Sequence, residues 1–171
     1  AMQRVLEYGL AIDEEGVIQQ AQRFTSANPD ARELALLLVN RLVDFSRYDD
    51  ALEQIAIMQN RNPEDFDLLY IQAEINIRAE RYEQAKQLLN EYINVQNQRR
   101  QSLDDSLTTA LSSISDARLS LVQIAEKQHD LHEAIRQLGF IEEPALQFQI
   151  HVHRAVLEAR LGDLQKANHT L

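Results

Sequence analysis

The sequence contains no cysteine and few of the residues that interrupt regular structure. Its 171 residues include four glycines and three prolines, and aromatic residues make up 6% of the chain. Without cysteine, the chain can form neither a disulfide bond nor a catalytic thiolate. So few turn-forming residues leave little room for the many turns of an all-β fold. Alanine, leucine, glutamine and glutamate dominate instead, and because all four favour helices, the composition indicates an all-α protein.

The chain also lacks an excess of basic charge. Its 17 lysines and arginines are scattered among 27 acidic residues, which gives a formal net charge of -10. Proteins that bind the phosphate backbone need clustered basic residues, so we expect no nucleic-acid partner. An acidic surface is also disfavoured at an anionic membrane.

Long apolar runs are missing as well. No run reaches the roughly 18 residues that a membrane span needs, so we expect no membrane insertion by this part of the chain. The opening AMQRVLEYGLAIDEE lacks the apolar core and cleavage site of a signal peptide, and it resembles the middle of a helix. The closing QKANHTL also stops within a pattern. We therefore interpret the chain as a fragment of a longer protein, with Ala1 as a cloning remnant.

A repeat of 34 residues organises what is present. An arginine, a tyrosine and an alanine recur at that distance: Arg47, Tyr48 and Ala51, then Arg81, Tyr82 and Ala85. Pro29 and Pro63 are separated by the same interval, and further matching alanines follow at Ala134 and Ala167. The spacing predicts one solenoid over 1–171 with repeats at about 1–29, 30–63, 64–97, 115–147 and 148–171, and an insertion at about 98–114.

Apolar residues at helical spacing predict two helices in each repeat. The predicted helices cover about 2–10, 14–26 with Asp13 as its N-cap, 31–45, 49–61, 64–79, 83–95, 103–126, a segment around Ala134, and 145–160. The connections are short, so neighbouring helices are expected to be antiparallel.

The period changes once. Ala134 follows Ala85 by 49 residues, which is 34 plus 15. Because apolar residues continue at helical spacing from Leu103, we expect both helices of this pair to be about two turns longer, forming a projecting hairpin. Ser102 with Asp105 is similar to a capping box. A flexible Gln/Ser linker at 96–102 is the alternative.

The segments FSRYDDA, AERYEQA, QHDLHEA and LGDLQKA each place a bulky residue three positions before an alanine. With the 34-residue period and the closing prolines, they resemble the tetratricopeptide repeat family. The resemblance implies a right-handed superhelix of antiparallel helix pairs, in which the repeated alanines let helices approach closely. The family's aromatic residue early in the first helix is replaced by Ala35, Leu69, Arg118 and His151. A looser helical-hairpin solenoid is the alternative fold.

The resemblance also implies a concave groove lined by the first helices. Its positions here are Met2, Leu6, Leu36, Asn40, Val43, Tyr70, Glu74, Ile77, Arg78, Leu119, Gln123, Val152 and Val156. One of these positions is apolar in every copy, which suggests a peptide or helix of a partner protein; its residues are Met2, Leu36, Tyr70, Leu119 and Val152. The alternative is that neighbouring helices cover these side chains. Acidic residues stand where some family members carry a carboxylate-binding lysine, so recognition of that kind is not expected.

No motif for chemistry appears. The sequence has no glycine-rich phosphate loop, GxSxG or HExxH. His151 and His153 point about 200° apart on a helix, so they cannot share a metal ion. Most of the paired acidic residues fall near helix starts, where they complement the helix dipole. We therefore predict no catalytic residue, no cofactor and no metal.

The predicted function is a non-enzymatic scaffold for protein–protein interactions. The alternative is a structural or self-associating module that uses Arg99, Arg100, Leu103 and Leu107 of the hairpin. The irregular insertion is similar to the tetratricopeptide portions of Gram-negative lipoproteins, some of which act as adaptors for envelope enzymes. That likeness favours the periplasm over the cytoplasm and leaves the compartment open.

Overall fold

The computed structural model describes residues 14–28, 31–102 and 107–162. Helices joined by short turns account for these residues, which contain no strand. The predicted all-α class is confirmed. The helix predicted at 2–10, its neighbour's cap at Asp13, the capping-box side chains at 102–105 and the last helix after Gly162 lie outside the described residues.

Eight α-helices and one 3-10 helix follow one another in the described residues. They are α1 Glu14–Ala27, α2 Arg32–Asp44, α3 Tyr48–Arg61, α4 Asp67–Arg78, α5 Tyr82–Ser102, α6 Leu107–Lys127, α7 Leu131–Leu138, the 3-10 helix Pro144–Leu146 and α8 Gln147–Arg160. The predicted bounds agree to within three residues, except that α5 ends at Ser102 rather than 95 and that the predicted start of α6, at 103, lies outside the described residues. The helix α4 begins at Asp67 rather than 64. The turn after α3 extends further than expected, because the Asp65 amide donates to the Asn62 carbonyl at 3.2 Å.

The chain forms two compact units, 1–80 and 81–171. In the first unit, α1 to α4 bury one apolar cluster, whose least exposed members are Ile18, Ala21, Leu38, Val39, Leu42, Ala51, Ile55 and Leu68. Each of these side chains is at most 1% exposed. This burial supplies most of the driving force for packing the helices, since helices of this length are marginal alone.

In the second unit, α5 and α6 have 21 residues each, against 14 in α3. The inserted residues therefore lengthen both helices, as predicted. The alternative prediction, a flexible linker at 96–102, is wrong, because these residues belong to α5. A core cluster joins α6, α7 and α8 through Val122, Ala125, Ala134, Leu138, Ile141, Ile150 and Leu157.

The repeated alanines are the tightest packed of the repeating residues. Ala51, Ala85 and Ala134 are all 0% exposed, and Ala167 lies outside the described residues. Tyr48 and Leu131, three positions before two of them, are half-buried against the two core clusters. A methyl group at the shared position thus lets the second helix of a pair approach its neighbours closely.

Three turns that join described helices share one backbone conformation. Ser46, Glu80 and His129, which lie in these turns, have φ values of 59°, 58° and 61°. Gly162, which follows α8, has a φ of 80°. Only Gly162 is of the type that adopts this left-handed conformation without steric cost.

Substituting glycine for Glu80 should therefore stabilise the protein by about 0.5–1 kcal/mol, since it removes the Cβ that opposes positive φ. Glu80→Ala is the matched control, because it removes the same carboxylate and keeps a Cβ. Urea denaturation followed by circular dichroism measures both. An equal effect of the two variants would contradict the backbone explanation.

Candidate protein-binding surfaces

Five residues of the predicted groove line one concavity in the first unit. It lies between α2 and α4, the first helices of two consecutive repeats, and has a volume of about 350 Å³. Its lining comprises Val39, Asn40, Val43, Asp44, Tyr70, Ile71, Glu74, Ile75 and Arg78. The repeat explains this arrangement, because Asn40 and Glu74 occupy the same position in helices one period apart.

The floor of this concavity is apolar and its rim is polar. Val39, Val43 and Ile75 are buried, whereas Asn40 and Arg78 are exposed. Two carboxylates accompany Arg78, and one of them, Asp44, accepts a hydrogen bond from Arg41 at 3.4 Å. An apolar floor with a few polar groups around it can bury a side chain and orient its neighbours.

Two further predicted groove positions of the first unit, Leu36 and Ile77, do not line the concavity, while Met2 and Leu6 lie outside the described residues. Leu36 is half-buried and packs against the core cluster. Ile77 is half-buried on α4. The Leu36 side chain therefore agrees with the alternative interpretation, in which neighbouring helices cover the side chain.

In the second unit the predicted positions divide in a similar way. Leu119 on α6 is half-buried against the core, and Gln123 one turn later is exposed. On α8, Val152 and Val156 are 37% and 51% exposed. Phe148, which the sequence analysis missed, is 78% exposed and lies four residues before Val152. That spacing, which puts all three on one face of α8, could have identified it.

A second concavity of the first unit was not predicted. It measures about 380 Å³ and lies among α1, α2, α3 and the turn before α4. Arg32 and Asp65 close part of it with two hydrogen bonds of 2.6 and 3.0 Å. The bond to Asp65 raises the pKa of the Arg32 guanidinium. Because the pair joins residues 33 apart on different turns, neither residue type nor local spacing indicates it.

The two arginines predicted for the hairpin have different surroundings. Arg100 is half-buried and donates to Glu142 at 2.9 Å, and Arg99 is exposed. Leu103 and the side chain of Leu107 lie outside the described residues. The hairpin surface therefore stays a prediction.

Residues 14–28, 31–102 and 107–162 contain neither a metal-ligand cluster nor a membrane-spanning helix. No three histidine, aspartate or glutamate side chains come together in a way that could hold a metal ion. No described helix is long and apolar enough to cross a membrane.

Comparison with known proteins agrees with this geometry. Residues 36–102 match the family model described as tetratricopeptide repeat, and no curated protein sequence matches significantly. A crystal structure of MamA superposes with a TM-score of 0.63 at 17% identity, covering 92% of this chain and 84% of that one. A second MamA crystal structure gives 0.64 at 16%, covering 99% and 83%. The MamA RS-1 ArsTM double mutant gives 0.60 at 14%, covering 99% and 85%.

At such identities, the structural likeness shows the fold alone. The match at 36–102 covers α3, α4 and α5 entirely and most of α2, and it includes the repeated alanines Ala51 and Ala85. Residues 36–102 thus match the tetratricopeptide repeat family, and the chain shares the fold of these solved structures.

Proposed function

We propose that this protein is a scaffold for protein–protein interactions, and that the concavity between α2 and α4 binds a peptide segment of a partner protein. Protein binding is the general role of tetratricopeptide repeats. The observation that supports this site is its lining by equivalent positions of consecutive repeats, Asn40 on α2 and Glu74 on α4.

The lining indicates what the peptide should carry. Val43, Tyr70 and Ile71 offer apolar contact, and the volume suits one or two side chains. Asp44 and Glu74 are the acidic residues of the lining and Arg78 is its basic residue, while Arg41 pairs with Asp44 from outside the lining. Because the lining itself has more acidic than basic groups, charge complementarity favours a peptide with an apolar anchor and a neighbouring basic residue.

Catalysis is less well supported at this concavity. Its lining contains no histidine, serine or threonine, and its single hydroxyl belongs to Tyr70. Nucleophilic and acid–base mechanisms need a nucleophile and a base within hydrogen-bond reach of each other. The apolar floor and exposed rim favour binding over chemistry.

A displayed peptide library tests the proposal. Peptides selected on the full chain should weaken at least about tenfold, or about 1.4 kcal/mol, on Asn40→Arg, because the new side chain adds bulk and positive charge inside the concavity. Asn60→Arg is the matched control, since Asn60 is exposed on α3 and does not line the concavity. Fluorescence anisotropy with a labelled peptide measures both. Equal weakening by the two variants, or none by either, would place the peptide elsewhere.

The alternative role, self-association through the elongated hairpin or adaptor activity for an envelope enzyme, stays a prediction. Leu103 and the Leu107 side chain, on which it depends, lie outside the described residues. The concavity between α2 and α4 is therefore the better supported site.

A further inference from the structure

The second unit contains an arginine that is half-buried without a counter-ion. Arg118 on α6 donates from Nη1 to the Gln137 Oε1 at 2.6 Å. Its guanidinium carbon lies 4.9 Å from the centre of the Phe140 ring. Its Nε is buried and makes no hydrogen bond, and no carboxylate among the described residues forms an ion pair with it. Buried charges in proteins are ordinarily paired, so this cation is unusual.

The acidic side chain that acts on Arg118 is already engaged by other residues. Gln137 donates from Nε2 to the Glu133 carboxylate at 2.6 Å, and Glu133 also accepts from Arg136 at 2.5 Å. Glu133 therefore forms no direct ion pair with Arg118. Desolvation, with the charge of Arg136 as a second cause, lowers the pKa of Arg118, and the charge of Glu133 opposes this shift. Because the net shift is downward, Glu133 compensates the cation only in part.

A small cavity opens beside this arginine. It measures about 150 Å³ and is lined by Asn97 and Arg100 of α5, Leu111, Ile114, Ser115 and Arg118 of α6, and Phe140 and Glu142 after α7. Two arginines face one glutamate, so the lining has an excess of one positive charge. Glu142 pairs with Arg100 at 2.9 Å, which leaves Arg118 as the uncompensated member.

We propose that this cavity binds a carboxylate side chain from an acidic segment of a partner protein. One excess positive charge is matched by one carboxylate, and the planar guanidinium of arginine suits carboxylate geometry. The volume admits the end of an aspartate or glutamate side chain. Phe140, which is 51% exposed, offers apolar contact to the residue next to it.

Arg118 occupies a position where the repeat family has an aromatic residue, so the family's pattern does not by itself account for this cavity. It belongs to the second unit, and its ligand is opposite in charge to the one proposed for the concavity between α2 and α4. The two proposed sites are therefore tested by separate experiments, and the failure of one proposal leaves the other unaffected.

Nuclear magnetic resonance of the arginine Nε–Hε groups tests the site in the full chain. We expect the Arg118 signal to shift saturably with N-acetylglutamate N-methylamide. The matched glutamine compound, which differs only in having a neutral amide, should leave the signal in place. An unmoved signal, or equal shifts with both compounds, would overturn the proposal. Tighter binding of inorganic phosphate than of the carboxylate would also overturn it, in favour of a phosphorylated ligand.

A variant that should bind the glutamate compound more tightly provides a second test of the site. Glu142→Gln removes the carboxylate that competes for Arg100, so affinity for the glutamate compound should rise about two- to fivefold, the range expected for one exposed ion pair. The Glu142 side chain is 66% exposed, so the fold tolerates the change. Glu91→Gln, exposed on α5 and outside the cavity, changes the net charge equally and should leave affinity unaltered. An equal gain in both variants would reduce the effect to overall charge and overturn the site.

Loss of the arginine completes the test. Arg118→Gln should abolish the saturable binding of the glutamate compound, with helix content unchanged by circular dichroism. Binding that persists in this variant would contradict the proposal. If the variant does not fold, the gain in Glu142→Gln decides the question by itself.

Discussion

Replacing Leu42 with alanine is expected to lower the free energy of unfolding by about 2–5 kcal/mol, the range for a buried leucine whose neighbours cannot close the space it leaves. Leu42 is 0% exposed and lies on α2 within the core cluster of the first unit. Its neighbours in that cluster come from all four helices, so no single helix can move to fill the cavity. Urea denaturation followed by far-ultraviolet circular dichroism measures the change.

Leu37→Ala is the control, because it makes the same chemical change on the same helix. Leu37 packs against the cluster but is only half-buried, so part of its methyl groups already contacts water. The cost should be less than about 1.5 kcal/mol. Equal costs for the two leucines would mean that α2 presents a different face to the core.

The helices could be predicted because their apolar periodicity is strong and their turns repeat. Leu34, Leu37, Leu38, Val39 and Leu42 predicted an apolar face for α2. The order of burial within this face could not be read from the sequence, because it depends on where α1 and α3 lie. The inserted residues were predicted as helix for the same reason, since Leu107, Ala110 and Leu111 continue the helical spacing into α6.

The concavity was predicted only in part. The repeat register predicted Asn40, Tyr70 and Glu74 together, because equivalent positions of consecutive first helices lie side by side. The register also predicted Leu36, which instead packs against the core. A repeat register indicates which face of a helix a residue lies on, but it does not indicate how much of that face a neighbouring helix covers. Buried members of the floor, such as Ile75, are not among the groove positions that the family resemblance implies.

The cavity beside Arg118 could not be predicted from the sequence. Arg118 departs from the family pattern, but nothing in its local sequence indicates that Gln137 and Phe140 contact it. Those contacts come from α7 and the turn after it. An uncompensated charge is a property of packing between helices, so it becomes visible only in three dimensions.

Ala134→Leu should lower the free energy of unfolding by about 1–3 kcal/mol, because three added carbons have no space in a close-packed core. Ala134 is 0% exposed and lies in the cluster that joins α6, α7 and α8. The effect has the opposite cause to that at Leu42, since it arises from overpacking rather than from a cavity. Thermal and urea unfolding of the full chain measure it.

Ala159→Leu is the matched control, since Ala159 is an exposed alanine on α8 of the same unit. The same carbons added there should change stability by no more than about 0.5 kcal/mol. Ala51 and Ala85 are equally buried, so Ala51→Leu and Ala85→Leu should reproduce the loss at Ala134. If only Ala134→Leu lowers the free energy of unfolding, then the 34-residue pattern places alanines at positions that are not packed equivalently. Three similar losses would instead show that the repeated alanine is selected by the close approach of helices in every pair.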